Sequence, residues 1–150
     1  MSIPSYLAPT SRPEAPAGVG SPRESAVAEQ LLRRGLAAVG LLGIALIHLL
    51  DVQGKFAETP YLGVGYVLLI ASALGVAELL VRRESPMLWL ATGALAASAL
   101  LGYVVSRTTG LPDATGDIGN WLEPLGLASL FAEGVVVLLA AAALLRDRDR

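Results

Sequence analysis

Glu133 asks more of its surroundings than any other residue in this chain. It lies 12 residues beyond Trp121 in an apolar run, which puts it ~18 Å down a helix rising ~1.5 Å per residue, near the middle of ~30 Å of hydrocarbon. A charged carboxyl at that depth costs about 2.5 kcal/mol or more, so the side chain is expected to face protein or water rather than lipid. Two uses follow. Glu133 is either a proton, cation or ligand contact, or a neutral acid tying helices together by hydrogen bonds. Gly126, Ser129 and Ala140 share its helical face, and Ser72 and Ser98 are expected at comparable depth.

A second set of polar residues gathers at one end of the apolar runs. His48 and Asp51 stand at i and i+3, where a carboxylate can orient an imidazole or share a cation with it. Tyr103 and Arg107 are one turn apart. The planar guanidinium of Arg107 suits a phosphate, a carboxylate or a lipid headgroup, and it suits equally well an ion pair with Asp113 or Asp117 in the following loop. Asn120 and Glu123 have the spacing of a capping box opening a helix. Metal, quinone or headgroup chemistry at His48, Asp51, Tyr103 and Arg107 is therefore one reading, and a set of solvated loop charges is the other. No cofactor is specified by these residues.

The elements that must position these groups are read from hydropathy. The chain is 54% apolar and 16% charged, with a mean hydropathy of +0.61, too apolar for an ordinary soluble fold. Four apolar runs, about 30–50, 61–81, 87–105 and 121–145, each approach the ~20 residues a spanning helix needs. They are continuous rather than alternating, which argues for helices and against barrel strands. The expected fold is an all-α bundle of four transmembrane helices over 30–145, with a disordered tail over 1–29 and a charged end at 146–150. Ser85 and Pro86 mark the start of the third helix, and Trp89 is expected in an interfacial aromatic belt. Ala71 with Gly75, and Ala94 with Ser98 and Gly102, form small-residue faces suited to close helix packing. Glu78 precedes Arg82 by four residues, the favourable order for a helical ion pair. Cysteine is absent, which excludes disulfide, thiolate and iron–sulfur chemistry, and a single histidine excludes bis-histidine haem within one chain.

Orientation follows from charge. Nine arginines, Arg12, Arg23, Arg33, Arg34, Arg82, Arg83, Arg146, Arg148 and Arg150, fall on one side against Lys55 and Arg107 on the other. The positive-inside rule then places both termini and the Arg82–Pro86 turn in the cytoplasm, with loops 51–60 and 106–120 outside. The first run begins after residue 30 and lacks a small-residue exit, so it reads as a retained anchor rather than a cleaved leader.

At Ser106–Pro112 and Asp117–Gly126 the chain resembles uncharacterised small four-helix integral membrane proteins of high-GC bacteria, a resemblance that implies a multi-pass inner-membrane location and no particular activity. The preference for arginine over lysine, ten to one, fits such a source. Four-helix multidrug exporters also use a membrane glutamate, but theirs resembles a first-helix site, whereas the deep acid here lies in the fourth. Three functions are weighed. The leading one is a non-enzymatic subunit or partner-binding module with an ordered outer loop 106–120, its partners being the lipid bilayer, a second copy or another membrane protein, and no nucleic acid. The alternatives are a small proton- or cation-coupled transporter using Glu133, and a redox or metal accessory at His48, Asp51, Tyr103 and Arg107. Whether Glu133 shares a cavity with the outer polar set discriminates among them.

Overall fold

The computed structural model describes residues 21–148; the expectation of disorder over residues 1–20 and the last two residues of the charged end lie outside this range. The described chain is all-helical. It forms α1 (Pro22–Glu58), α2 (Pro60–Arg82), α3 (Pro86–Thr108) and α4 (Pro124–Arg148). Each is long and apolar enough to cross a membrane.

Helix boundaries follow local chemistry, and four of them differ from expectation. The first helix starts at Pro22 rather than near residue 30, so 22–29 are helical. Ser21 accepts the Glu24 amide and Glu24 returns a carboxylate to the Ser21 amide, a full capping box with proline at the first helical position. It also runs through the expected loop 51–60, because Asp51 to Glu58 contain no proline and the single Gly54 costs a helix only about 1 kcal/mol. Thr59 alone separates α1 from α2. Its extended backbone, φ −149° and ψ 94°, is what the residue before Pro60 must adopt. The α3–α4 loop is 109–123, not 106–120. α3 continues to Thr108 and stops where Gly110 takes φ +77°, a left-handed conformation that glycine adopts without steric penalty.

The helices form two hairpins, α1 against α2 and α3 against α4. Contacts of α1 with α4 and of α2 with α3 close the ring. The core is built on alanine and a few larger side chains. Near the middle Leu41, Ile44, Ala73, Ala77, Ala96 and Val136 interlock, and toward the chain termini Ala37, Leu80, Trp89, Ala140 and Ala143 form a second cluster. Small residues let backbones approach, as where Gly40 lies against Val136 and Gly93 against Ala140. Trp89 is a correction to the expected belt: it is 4% exposed, a core residue. The expected small-residue faces are also corrected, since Ala71, Gly75, Ala94 and Ser98 are exposed and Ala73, Ala77 and Ala96 pack instead. At the termini end Arg34 donates to the carbonyls of Leu80 and Val81, capping the end of α2, and Arg146 pairs with Glu29. The Glu78–Arg82 ion pair is present on an exposed face.

Candidate functional site

The loop between α3 and α4 folds back onto the bundle. Leu111 and Ala114 exchange backbone hydrogen bonds at 3.1 and 2.9 Å, and the Gly119 amide donates to the Arg107 carbonyl at 2.9 Å. Asp113 at the tip takes φ 55°, a left-handed conformation in which aspartate is several-fold enriched. Tyr61, at the start of α2, donates its hydroxyl to the Pro112 carbonyl at 2.6 Å, tying the loop to the first hairpin.

Beneath that loop the charges form one network. Arg107, only 5% exposed, pairs with Asp117 at 2.9 Å and with Glu123 at 2.6 Å, and its guanidinium lies 4.9 Å from the centre of the Tyr103 ring. Asp117 also receives Lys55 of α1 at 3.3 Å, while Lys55 reaches Glu58 at 3.0 Å. One loop carboxylate thus joins α1 to α3. Burial alone would raise the Asp117 pKa, but the positive charges of Lys55 and Arg107 outweigh it and hold the carboxyl below its ordinary value. The expected capping box between Asn120 and Glu123 does not form: α4 begins at Pro124, the Glu123 side chain goes to Arg107, and the Asn120 amide donates to Asp117 O.

One turn deeper, His48 and Asp51 do not meet each other. The His48 Nδ1 bonds the Ile44 carbonyl at 2.9 Å, and its ring packs edge-on against Tyr66 with centroids 4.7 Å apart. Tyr66 in turn donates to Asp51 at 3.4 Å. Among the described residues no three of His, Cys, Asp and Glu are grouped to hold a metal ion.

Glu133 lies deeper still, nine residues into α4, ~14 Å from its start. It is 1% exposed. Ser129, one turn earlier, donates to Oε1 at 2.6 Å, and Oε2 is buried with no partner among the described residues. Ser72 and Ser98 point away from the acid: both are exposed, and Ser98 donates to its own helix at Leu95. The expected serine cluster around the acid reduces to Ser129.

A single cavity of about 170 Å³ connects these layers. Its walls come from all four helices and the loop, and its lining runs from Lys55, Arg107, Asp117 and Glu123 past His48, Asp51, Tyr66 and Tyr103 to Ser129 and Glu133. Below Glu133 the interlocked alanines and Val136 fill the bundle, so the chamber ends there. Seven of the eight candidate residues therefore line one space. The eighth, Asp113, is exposed on the loop. Lys55 and Tyr66 were not anticipated. The signal for the first was available, since it is the chain's only lysine and stands four residues after Asp51; a tyrosine inside an apolar run carries no comparable mark. Comparison with protein-family models, curated proteins and solved structures finds no match for this chain.

Proposed function

We propose that this chain is a four-span protein of a bacterial inner membrane that binds a small molecule in a chamber beneath its α3–α4 loop. Both termini are assigned to the cytoplasm by the arginine count, so the loop and the chamber lie toward the outer face. The observation that carries the reading is the continuity of one cavity from the Lys55–Asp117–Arg107 network to Glu133. A carboxyl kept only as a helix tie has no need of a route from the surface. Here both the route and an unpartnered buried oxygen at its end are present. The closed lower core favours binding over an open channel.

The test is native mass spectrometry of the full chain extracted in mild detergent, beside an Ala99→Leu variant that fills the chamber wall. A small species bound to the wild type and lost from the variant supports the reading. No bound species, together with identical thermal unfolding of the two proteins across a small-molecule screen, would sink it.

A second reading, a subunit that packs against another membrane helix, is favoured by the outward-facing Ala71, Gly75, Ala94 and Ser98, which the chain's own bundle leaves uncovered. The same spectra report it as an oligomer or a co-purifying partner.

A further inference from the structure

The polar groups lining the chamber are unequally committed. Its hydroxyl donors are engaged: Ser129 to Glu133, Tyr66 to Asp51, Tyr103 to the Trp121 carbonyl, and Ser106 to the Tyr103 carbonyl of its own helix. Lys55 and Arg107 are held by Glu58, Asp117 and Glu123. Because a backbone carbonyl only accepts, the His48 contact to Ile44 commits the Nδ1 proton to that carbonyl. At the closed end stands Glu133 Oε2, buried and unpartnered.

Charge points the same way. Four carboxyls, Asp51, Asp117, Glu123 and Glu133, line the chamber against the two basic side chains Lys55 and Arg107. Acids outnumber bases in a low-dielectric cleft, which concentrates cations and turns anions away. The remaining Arg107 Nε, buried without a partner, sits beside the paired carboxylates rather than at the closed end. Size narrows the class further: about 170 Å³ is close to the ~150 Å³ that holds one benzene ring in a packed helical core. The rest of the wall includes the aliphatic side chains of Leu69, Ala99 and Leu125.

We infer that the chamber takes a compact organic monocation, a protonated amine on a body about the size of one aromatic ring, with its ammonium N–H groups on Glu133 Oε2 and its apolar part against Leu69, Ala99 and Leu125. This rests on the chamber reading above and adds the chemistry of the occupant. An ammonium supplies the donor the buried oxygen lacks, and its charge offsets the cost of ionising a buried carboxyl. Benzoate is excluded by the acids on the way in, and a neutral isostere satisfies the donor requirement without the charge.

The experiment titrates four isosteric probes, benzylammonium, benzyl alcohol, toluene and benzoate, into the full-length detergent-solubilised protein at pH 7, with calorimetric Kd and thermal shift as readouts. Wild type, Glu133→Gln and Ala99→Leu are compared. Benzylammonium is expected to bind at least tenfold tighter than benzyl alcohol or toluene, with no binding of benzoate. Glu133→Gln should erase that preference while leaving the neutral probes as they were, and Ala99→Leu should weaken every probe. If the neutral probes match benzylammonium in the wild type, or benzoate binds, the cation assignment is overturned while the chamber stands. Should no probe bind, or Ala99→Leu change none of them, the chamber reading falls as well. Selectivity among the isosteres in the wild type decides the question even if Glu133→Gln fails to fold.

Discussion

Ser129 donates its hydroxyl to Glu133 Oε1 at 2.6 Å from one turn up the same helix, which leaves Oε2 as the buried acceptor at the end of the chamber. The bond is local to α4, so it orients the carboxyl without tying it to another helix. Ser129→Ala leaves Oε1 unpartnered as well and is therefore expected to lower stability by about 1–3 kcal/mol. Thermal unfolding in detergent measures it. A loss several times larger would mean that Ser129 also supports the packing between helices.

Arg107 holds the loop network together and is nearly inaccessible. Arg107→Leu leaves Asp117 and Glu123 facing each other without their shared cation. Removing one partner of a buried pair costs about 3–5 kcal/mol, and the partial exposure of both acids puts the expected loss at the lower end. Limited proteolysis should then cut within 109–123, while the wild type is expected to resist there. Unchanged resistance would show that the loop is held by the Tyr61–Pro112 bond and the Leu111–Ala114 bridge instead.

Asp117 sets an expected pH dependence. Its folded pKa is lowered from the ordinary 3.8, so the stabilisation is fully present above that value and is lost as pH falls through the depressed folded pKa. Between pH 6 and 8 this contribution should be flat. Wild type should lose loop protection on acidification toward pH 3, and Asp117→Asn should start lower at neutral pH and lose less. Parallel melting curves for the two proteins across that range would contradict the assignment.

Two glycines on α1 should respond in opposite ways. A Cβ at Gly40 runs into Val136, whereas one at Gly43 meets nothing within 4 Å. Gly40→Val is expected to destabilise by about 1–3 kcal/mol through overpacking, while Gly43→Ala should be neutral or stabilising by up to about 1 kcal/mol through helix propensity. Comparable losses at both sites would mean that a second chain covers Gly43.

Orientation is testable because the chain has no native cysteine. Thr115→Cys in the α3–α4 loop should react with a membrane-impermeant maleimide on intact cells, and Glu84→Cys only after permeabilisation. The reverse pattern would invert the topology and turn the chamber toward the cytoplasm.

Class and element count were legible because they depend on composition alone: four apolar runs of spanning length need no tertiary information. Glu133 was legible as a buried acid for the same reason, since no helix of that register could bring it to water. Some local signals were present and underweighted. Ser21-Pro22-Arg23-Glu24 spells the capping box that starts α1, and Asp51 to Glu58, with Gly54 but no proline, does not force a helix to stop before Pro60. Other features were out of reach. Which small-residue stripe packs depends on helix rotation, and in a chain this rich in alanine and glycine several faces look alike, so Ala73 and Ala77 could not be told from Ala71 and Gly75.

What the sequence determined by itself was therefore the number of helices, their apolar character and the place of Glu133 well inside the fourth, because a rise per residue converts position into height; the heights of His48, Asp51 and Arg107 were set only by α1 running on to Glu58 and α3 to Thr108. Only the tertiary structure decided that these heights open onto one space. Azimuth is set by packing between helices, and it turned Ser72 and Ser98 outward while bringing Lys55, Tyr66 and Glu133 to a common cavity.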